Sequence, residues 1–138
     1  SDYIEPGHLP VVVDTPFGKM GVAVCYDLRF PEMFRKMHEQ QVDFIVVPSA
    51  FTETTGKAHW EVLLRARAIE NLSYVFAANQ WGEHESGRKT FGHSMVIDPW
   101  GQVQRSLKTG VGVVFGELDL TFQSSIRRTF PVITHRRF

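Results

Sequence analysis

Apolar and polar positions along the chain alternate between the period of a strand and that of a helix. Residues 10–15 read as a strand, Pro16-Phe17-Gly18-Lys19 as a turn and residues 20–25 as a second strand, so a hairpin is predicted. Pro31 suits a first helical turn, where its missing N–H costs nothing, and residues 31–40 are predicted helical. Asp43-Phe44-Ile45-Val46-Val47-Pro48 is a continuous apolar run of the kind buried on both faces of a sheet. A polar loop over 49–56 separates it from the clearest helix, 57–71. There Trp60, Leu63, Leu64 and Ala68, with Ala66 beside them, share a stripe, and Glu61 precedes Arg65 in the favourable i,i+4 order. Residues 73–79 read as another buried strand and 80–92 as a loop. Residues 93–98, 102–106 and 111–119 read as a meander turned at Asp98-Pro99-Trp100-Gly101. The order predicts one α/β unit, a mixed sheet with helices on one face, without repeat or linker.

Composition narrows the function classes. The chain has 138 residues, 43% hydrophobic and 22% charged, as a soluble globular domain with a real core would. Fifteen basic residues balance fifteen acidic ones, so no overall field draws nucleic acid or an anionic membrane. No apolar run approaches the ~18 residues of a membrane span. The single cysteine excludes an intrachain disulfide and fits a reducing compartment. With no signal-peptide pattern in Ser1-Asp2-Tyr3-Ile4-Glu5-Pro6-Gly7, a cytoplasmic address is expected. The opening lacks an initiator methionine, and the expectation is the middle of a longer polypeptide.

That cysteine, Cys25, ends the apolar run Met20-Gly21-Val22-Ala23-Val24 and precedes the polar phrase Tyr26-Asp27-Leu28-Arg29-Phe30-Pro31-Glu32. A strand of this kind would deliver the thiol outside its carboxyl end, where α/β folds bind ligands. Two readings stand: a nucleophile, or a small buried hydrophobe. Arg29 favours a thiolate, whereas Asp27 and Glu32 oppose it, so local charge leaves both open.

The phrase from Cys25 to Glu32 resembles the nucleophile segment of the nitrilase superfamily of carbon–nitrogen hydrolases. Val47-Pro48-Ser49-Ala50-Phe51, His59-Trp60-Glu61, Arg65-Ala66-Arg67-Ala68-Ile69-Glu70-Asn71, Asn79-Gln80-Trp81-Gly82, Gly92-His93-Ser94 and Asp98-Pro99-Trp100-Gly101 follow in that family's order. The wording is most similar to the branch that hydrolyses deaminated glutathione, relatives of the ω-amidases. The resemblance implies the C-terminal half of an αββα sandwich over residues 1–120. It implies Cys25 as nucleophile, forming a thioester and expelling ammonia or an amine, with the backbone N–H of Tyr26 as an oxyanion donor. It also implies a small amide substrate and neither metal nor organic cofactor.

The family's glutamate and lysine lie N-terminal to the segment that Ser1 to Gly7 resembles, so of the catalytic set this chain holds Cys25. An inactive isolated chain is expected, either as a piece of a longer amidase or as a non-catalytic remnant or interaction fragment. A thiol redox sensor lacks a resolving cysteine. Phe51, Thr52, Asn79 and Trp81 follow buried strands and read either as substrate-binding pocket residues or as loop packing. Arg67 and Glu70, with Arg29, are expected to form a buried network that orients the nucleophile loop through Glu32. Residues 121–138, aromatic and basic, are a candidate oligomer-contact arm, or fold back on their own subunit. A homo-oligomer or a complementing N-terminal half is the expected protein partner. The glycines around Gly112, the His93-Ser94 pair and the histidines match no phosphate, hydrolase-elbow or metal motif.

Overall fold

A computed structural model describes residues 3–138; Ser1 and Asp2, with which the predicted domain opens, lie outside them. The predicted hairpin forms from β1 (Val11–Thr15) and β2 (Gly18–Val22), turned at Pro16-Phe17. After β2 come a 3₁₀ turn, Cys25–Arg29, and α1, Pro31–Glu39. Next are β3 (Phe44–Ser49), one turn of helix α2 (Glu53–Thr55), a π turn (Gly56–Trp60) and α3 (Glu61–Asn71). Strand β4 (Tyr74–Asn79) leads into β5 (Trp81–Glu83), β6 (Lys89–Phe91), β7 (Ser94–Ile97) and β8 (Val103–Leu107). Helix α4 (Leu120–Thr129) and a short 3₁₀ turn complete the chain.

Six strands form one sheet in the order β1-β2-β3-β4-β7-β8. The β2–β3 and β3–β4 pairs are parallel and the others antiparallel, which is the mixed sheet expected. Alternation along the central strands sorts the side chains. Ile45, Val47, Val75, Ala77, Met95 and Ile97 share a core with Phe34 and Met37 of α1 and Leu64 and Ala68 of α3. Trp60 is fully buried there, and its indole N–H donates to the His93 carbonyl at 2.9 Å.

Three expectations are corrected. Residues 80–92 are not a plain loop: β5 and β6 pair antiparallel, and Thr52 bridges to Thr90. Residues 49–56 are mostly strand end and helical turn. Residues 111–119 join no sheet among the described residues, and at the end of the segment side chains take the backbone groups of Glu117 and Asp119. The Glu117 N–H donates to Gln104 Oε1 (2.9 Å), and Gln104 Nε2 donates to the Glu117 carbonyl (3.1 Å). The segment passes so close to the sheet that a Cβ on Gly116 would stand 2.4 Å from Val96 Cγ1. Val111, Val113 and Phe115 remain exposed.

Helix α4 folds back on its own chain. Its N-cap Asp119 accepts from the Phe122 N–H at 2.9 Å. Gln123 donates to the carbonyls of Asp43 and Leu72, and Arg127 donates to those of Leu72 and Val42. These are carbonyls at the entry to β3 and the exit of α3, so α4 caps main-chain groups that the sheet cannot pair. Among the described residues, no helix is long and apolar enough to cross a membrane.

His38 on α1 is held to a pKa of about 4, below its usual 6.5, first by burial and then by the Arg127 and Arg35 charges. The unfolded chain therefore binds this proton more tightly than the native one. Stability present above pH 6.5 is expected to fall as pH drops toward 4, by about 2 kcal/mol after allowance for partial exposure. Urea midpoints measured across that window, in wild type and His38→Gln, check this; equal slopes in both proteins would contradict it.

Arg67 ties α3 to the nucleophile segment. It is 4% exposed, and its Nε and Nη2 both donate to the Leu28 carbonyl, at 3.1 and 2.9 Å. Nη1 faces Glu70 at 3.2 Å, and the guanidinium lies over the Phe34 ring. Arg67→Ala leaves that buried carbonyl without its donors, and a loss of about 3 kcal/mol is expected from the urea midpoint at unchanged slope. A loss below about 1 kcal/mol would show that the contact is not a structural tie.

Candidate active site

Strand β2 ends at Val22, not at Cys25. The thiol stands three residues on, in the left-handed region at φ 49°, and opens the 3₁₀ turn. For a residue with a Cβ this conformation costs about 1–2 kcal/mol, so neighbours must hold it. Asp27 supplies the local clamp: its Oδ2 accepts from the Val24 N–H at 2.8 Å, and its own N–H donates to the Val24 carbonyl at 3.0 Å. The Phe30 N–H then closes on the Asp27 carbonyl at 3.0 Å. Arg67 grips Leu28 inside the same turn. Cys25 is thus fixed from both sides, with its ends tied by main-chain and charged partners.

The first hydrogen bond of the turn is the one from Asp27 to Val24. The N–H groups of Cys25 and Tyr26 precede it and have no carbonyl within the element. Cys25 faces a cleft of 570 Å³ over the carboxyl ends of β3 and β4, lined also by Pro48, Ser49, Ala50, Asn79, Gln80 and Ser94. Apart from the thiol, no lining side chain among the described residues is an acid or a base. A partly buried thiol beside N–H groups that have no carbonyl within their own turn, at the open end of a sheet, is an arrangement suited to acyl transfer.

The structure brings together some of the predicted residues and separates others. Asn79 does line the cleft. Its Oδ1 accepts from the Phe51 N–H (2.8 Å) and its Nδ2 donates to the Gly92 carbonyl (2.7 Å), so its amide staples two loops. Phe51 lies in the core at 4% exposure, its ring 4.9 Å from that of Trp60, and it does not line the cleft. Thr52 precedes α2 and hydrogen-bonds Thr55, while Trp81 is half exposed on β5; neither is among the cleft residues. Tyr26 points its ring outward against Phe30. The Arg67–Glu70 pair exists, but the tie to the nucleophile loop runs through the Leu28 carbonyl. Glu32 is exposed, and its side chain makes no hydrogen bond or ion pair with the described residues, because α1 turns it to the surface.

Arg29 lies outside that network. Its Nη1 donates to His59 Nδ1 at 3.2 Å, and its guanidinium sits 5.2 Å from the centre of the Phe51 ring and 5.7 Å from that of Tyr26. No carboxylate pairs with it among the described residues. The sequence pattern singled out neither the His59 contact nor the walls formed by Ser49, Gln80 and Ser94. Ser94 Oγ accepts from the Asn79 N–H at 2.9 Å, across two strands that only the folded sheet makes adjacent. Among the described residues, no group of histidine, cysteine or carboxylate side chains is arranged to hold a metal ion.

Comparison with known proteins fits this geometry. The model of the carbon-nitrogen hydrolase family matches residues 1–128. The chain is 50% identical over 138 residues to the deaminated glutathione amidase of Rattus norvegicus, spanning 99% of this chain and 42% of that protein. It therefore spans under half the length of this curated relative. The crystal structure of the C. elegans NitFhit protein superposes with a TM-score of 0.94 at 46% identity, over 99% of this chain and 34% of that one. An amidase variant from Nesterenkonia sp. AN1, with the acetamide moiety of fluoroacetamide covalently added at its active site cysteine, gives a TM-score of 0.72 at 31% identity. That match covers 80% of this chain and 41% of the amidase. The mixed sheet with its helices is a fragment of the αββα sandwich these structures share. A thiol on a clamped left-handed elbow and a family match over residues 1–128 lead to one assignment: the chain belongs to the carbon–nitrogen hydrolase family.

Proposed function

We propose that this chain is the nucleophile-bearing part of an amidase that cleaves small amides carrying a carboxylate, of the deaminated glutathione type. The observation that carries the reading is Cys25, held left-handed at the mouth of the cleft with the Tyr26 N–H beside it. The thiol gives its proton to a base, and the sulfur attacks the amide carbon. Negative charge gathers on the carbonyl oxygen, where the Tyr26 N–H stabilises it. The C–N bond then breaks, the amine leaves with a proton, and a thioester remains on Cys25. Water attacks the thioester carbon, releasing the acid and restoring the thiol.

The base does not come from the described cleft walls, where the thiol is the lone titratable group among the described residues. We place it, with the family's lysine, on the part of the domain outside this segment. The exposed Val111, Val113 and Phe115 beside the sheet are the apolar surface that part would cover. Arg29, with no carboxylate partner, is the group to meet a substrate carboxylate. Phe51 supports that guanidinium from the core, and Asn79 keeps the wall in place. Thr52 and Trp81 stand further out, as rim residues. The same lack of a base favours a second reading, in which the 138-residue chain alone is a non-catalytic fragment.

Hydrolysis of deaminated glutathione, followed by release of its amine product, separates the two. The isolated chain is expected to turn over nothing. A longer protein containing it is expected to be active and to lose on the order of 10⁴–10⁶-fold in kcat on Cys25→Ser. Turnover that survives Cys25→Ser would overturn the mechanism.

A further inference from the structure

The Arg29 guanidinium is presented in an unusual way. An exposed arginine ordinarily samples many rotamers, at roughly 2 kcal/mol of side-chain entropy. Here three groups surround it: the Phe51 ring, the Tyr26 ring and the His59 imidazole. Arginine only donates, so in this contact His59 Nδ1 is the acceptor. The contact spends one donor of the guanidinium on a partner without negative charge, and among the described residues no carboxylate compensates the cation. A carboxylate in the same position would have cancelled that charge.

The backbone supports the same conclusion. His59 lies on the π turn Gly56–Trp60, an insertion that re-aims the side chains it carries. That turn is seated against the β6 end: a Cβ on Gly56 would stand 2.4 Å from Phe91 Cβ. The neighbouring Trp60 is locked by its core burial and its bond to the His93 carbonyl. His59, although exposed, therefore projects from a fixed platform. Arg29 lies in the same 3₁₀ turn as Cys25, about 8 Å along its axis, and Ala50, next to Phe51, lines the thiol's cleft.

We propose that His59 is a positioning residue: it fixes Arg29 so that its free donors face an anionic group of a substrate at Cys25. The inference rests on the reading of Arg29 given under Proposed function. It adds the residue that sets the orientation, and with it a selectivity for anionic over neutral amides.

Because Cys25 is the only cysteine, its alkylation reports on this site in the full 138-residue chain without any need for turnover. Iodoacetate and iodoacetamide react alike, the sulfur forming a C–S bond as iodide leaves, and differ in carrying or lacking a negative charge. The ratio of their rates reads the cation at the thiol and cancels changes in thiol ionisation or access. At low ionic strength, Arg29→Gln is expected to lower the iodoacetate-to-iodoacetamide ratio about two- to threefold. His59→Ala is expected to lower it to the same level, and His59→Gln, whose amide oxygen still accepts, to restore most of it. Melting temperatures confirm that each variant is folded. A normal ratio in His59→Ala with a lowered one in Arg29→Gln would overturn the positioning role and leave the Arg29 reading intact. A normal ratio in Arg29→Gln would overturn both.

Discussion

The contact between the Arg67 guanidinium and the Leu28 carbonyl is the constraint on which the site depends. A charge buried this deeply is costly unless its donors are used. A main-chain carbonyl in a tight turn is equally costly if left without one. Each answers the other's need, and the fork geometry of arginine lets two N–H groups meet one oxygen from a rigid helix. Helix α3 in turn is anchored in the core by Leu64 and Ala68, and the preceding turn by Trp60. The position of the nucleophile turn is thereby referred to the main core and not to the flexible ends of a loop.

Within that frame the local devices act together. Asp27 clamps Val24, Cys25 takes the left-handed conformation, and the chain enters α1 at Pro31 with the Phe30 N–H already satisfied. Asp27 is one of the two acidic residues expected to oppose a thiolate, yet its carboxylate is engaged by a backbone N–H. Arg29 faces aromatic rings and the His59 imidazole. One turn of five residues thus separates a structural carboxylate from a free cation. Strain at Cys25 is held by surrounding structure, which is where such strain persists in proteins.

Much of the fold was legible in the sequence. The central strands are apolar runs bounded by turn residues, and α3 carries a clear stripe with buried Trp60, Leu64 and Ala68. The phrase after Cys25 pointed to the right family. What stayed hidden has physical causes. A positive φ at a cysteine runs against its own propensity and arises from tertiary contacts. The Leu28 carbonyl carries no side-chain signature, so the network was expected to reach Glu32. Residues 111–119 have strand-like alternation, but Gln104 and Tyr74 take backbone groups that a neighbouring strand would use. The pair β5–β6 has three residues a side, contains Gly82 and is followed by Gly92, and Thr90 is bridged to Thr52, far earlier in the chain.

Amide hydrogen exchange in wild type and Arg67→Lys tests the dependence on Arg67 most directly, since lysine keeps the charge and loses the two-pronged donor. The account predicts that the Asp27 and Phe30 amides, which close the nucleophile turn, exchange faster in the variant while those of β3 and β4 keep their protection. Unchanged protection at Asp27 and Phe30 would contradict it, and would mean that the turn holds its shape without α3.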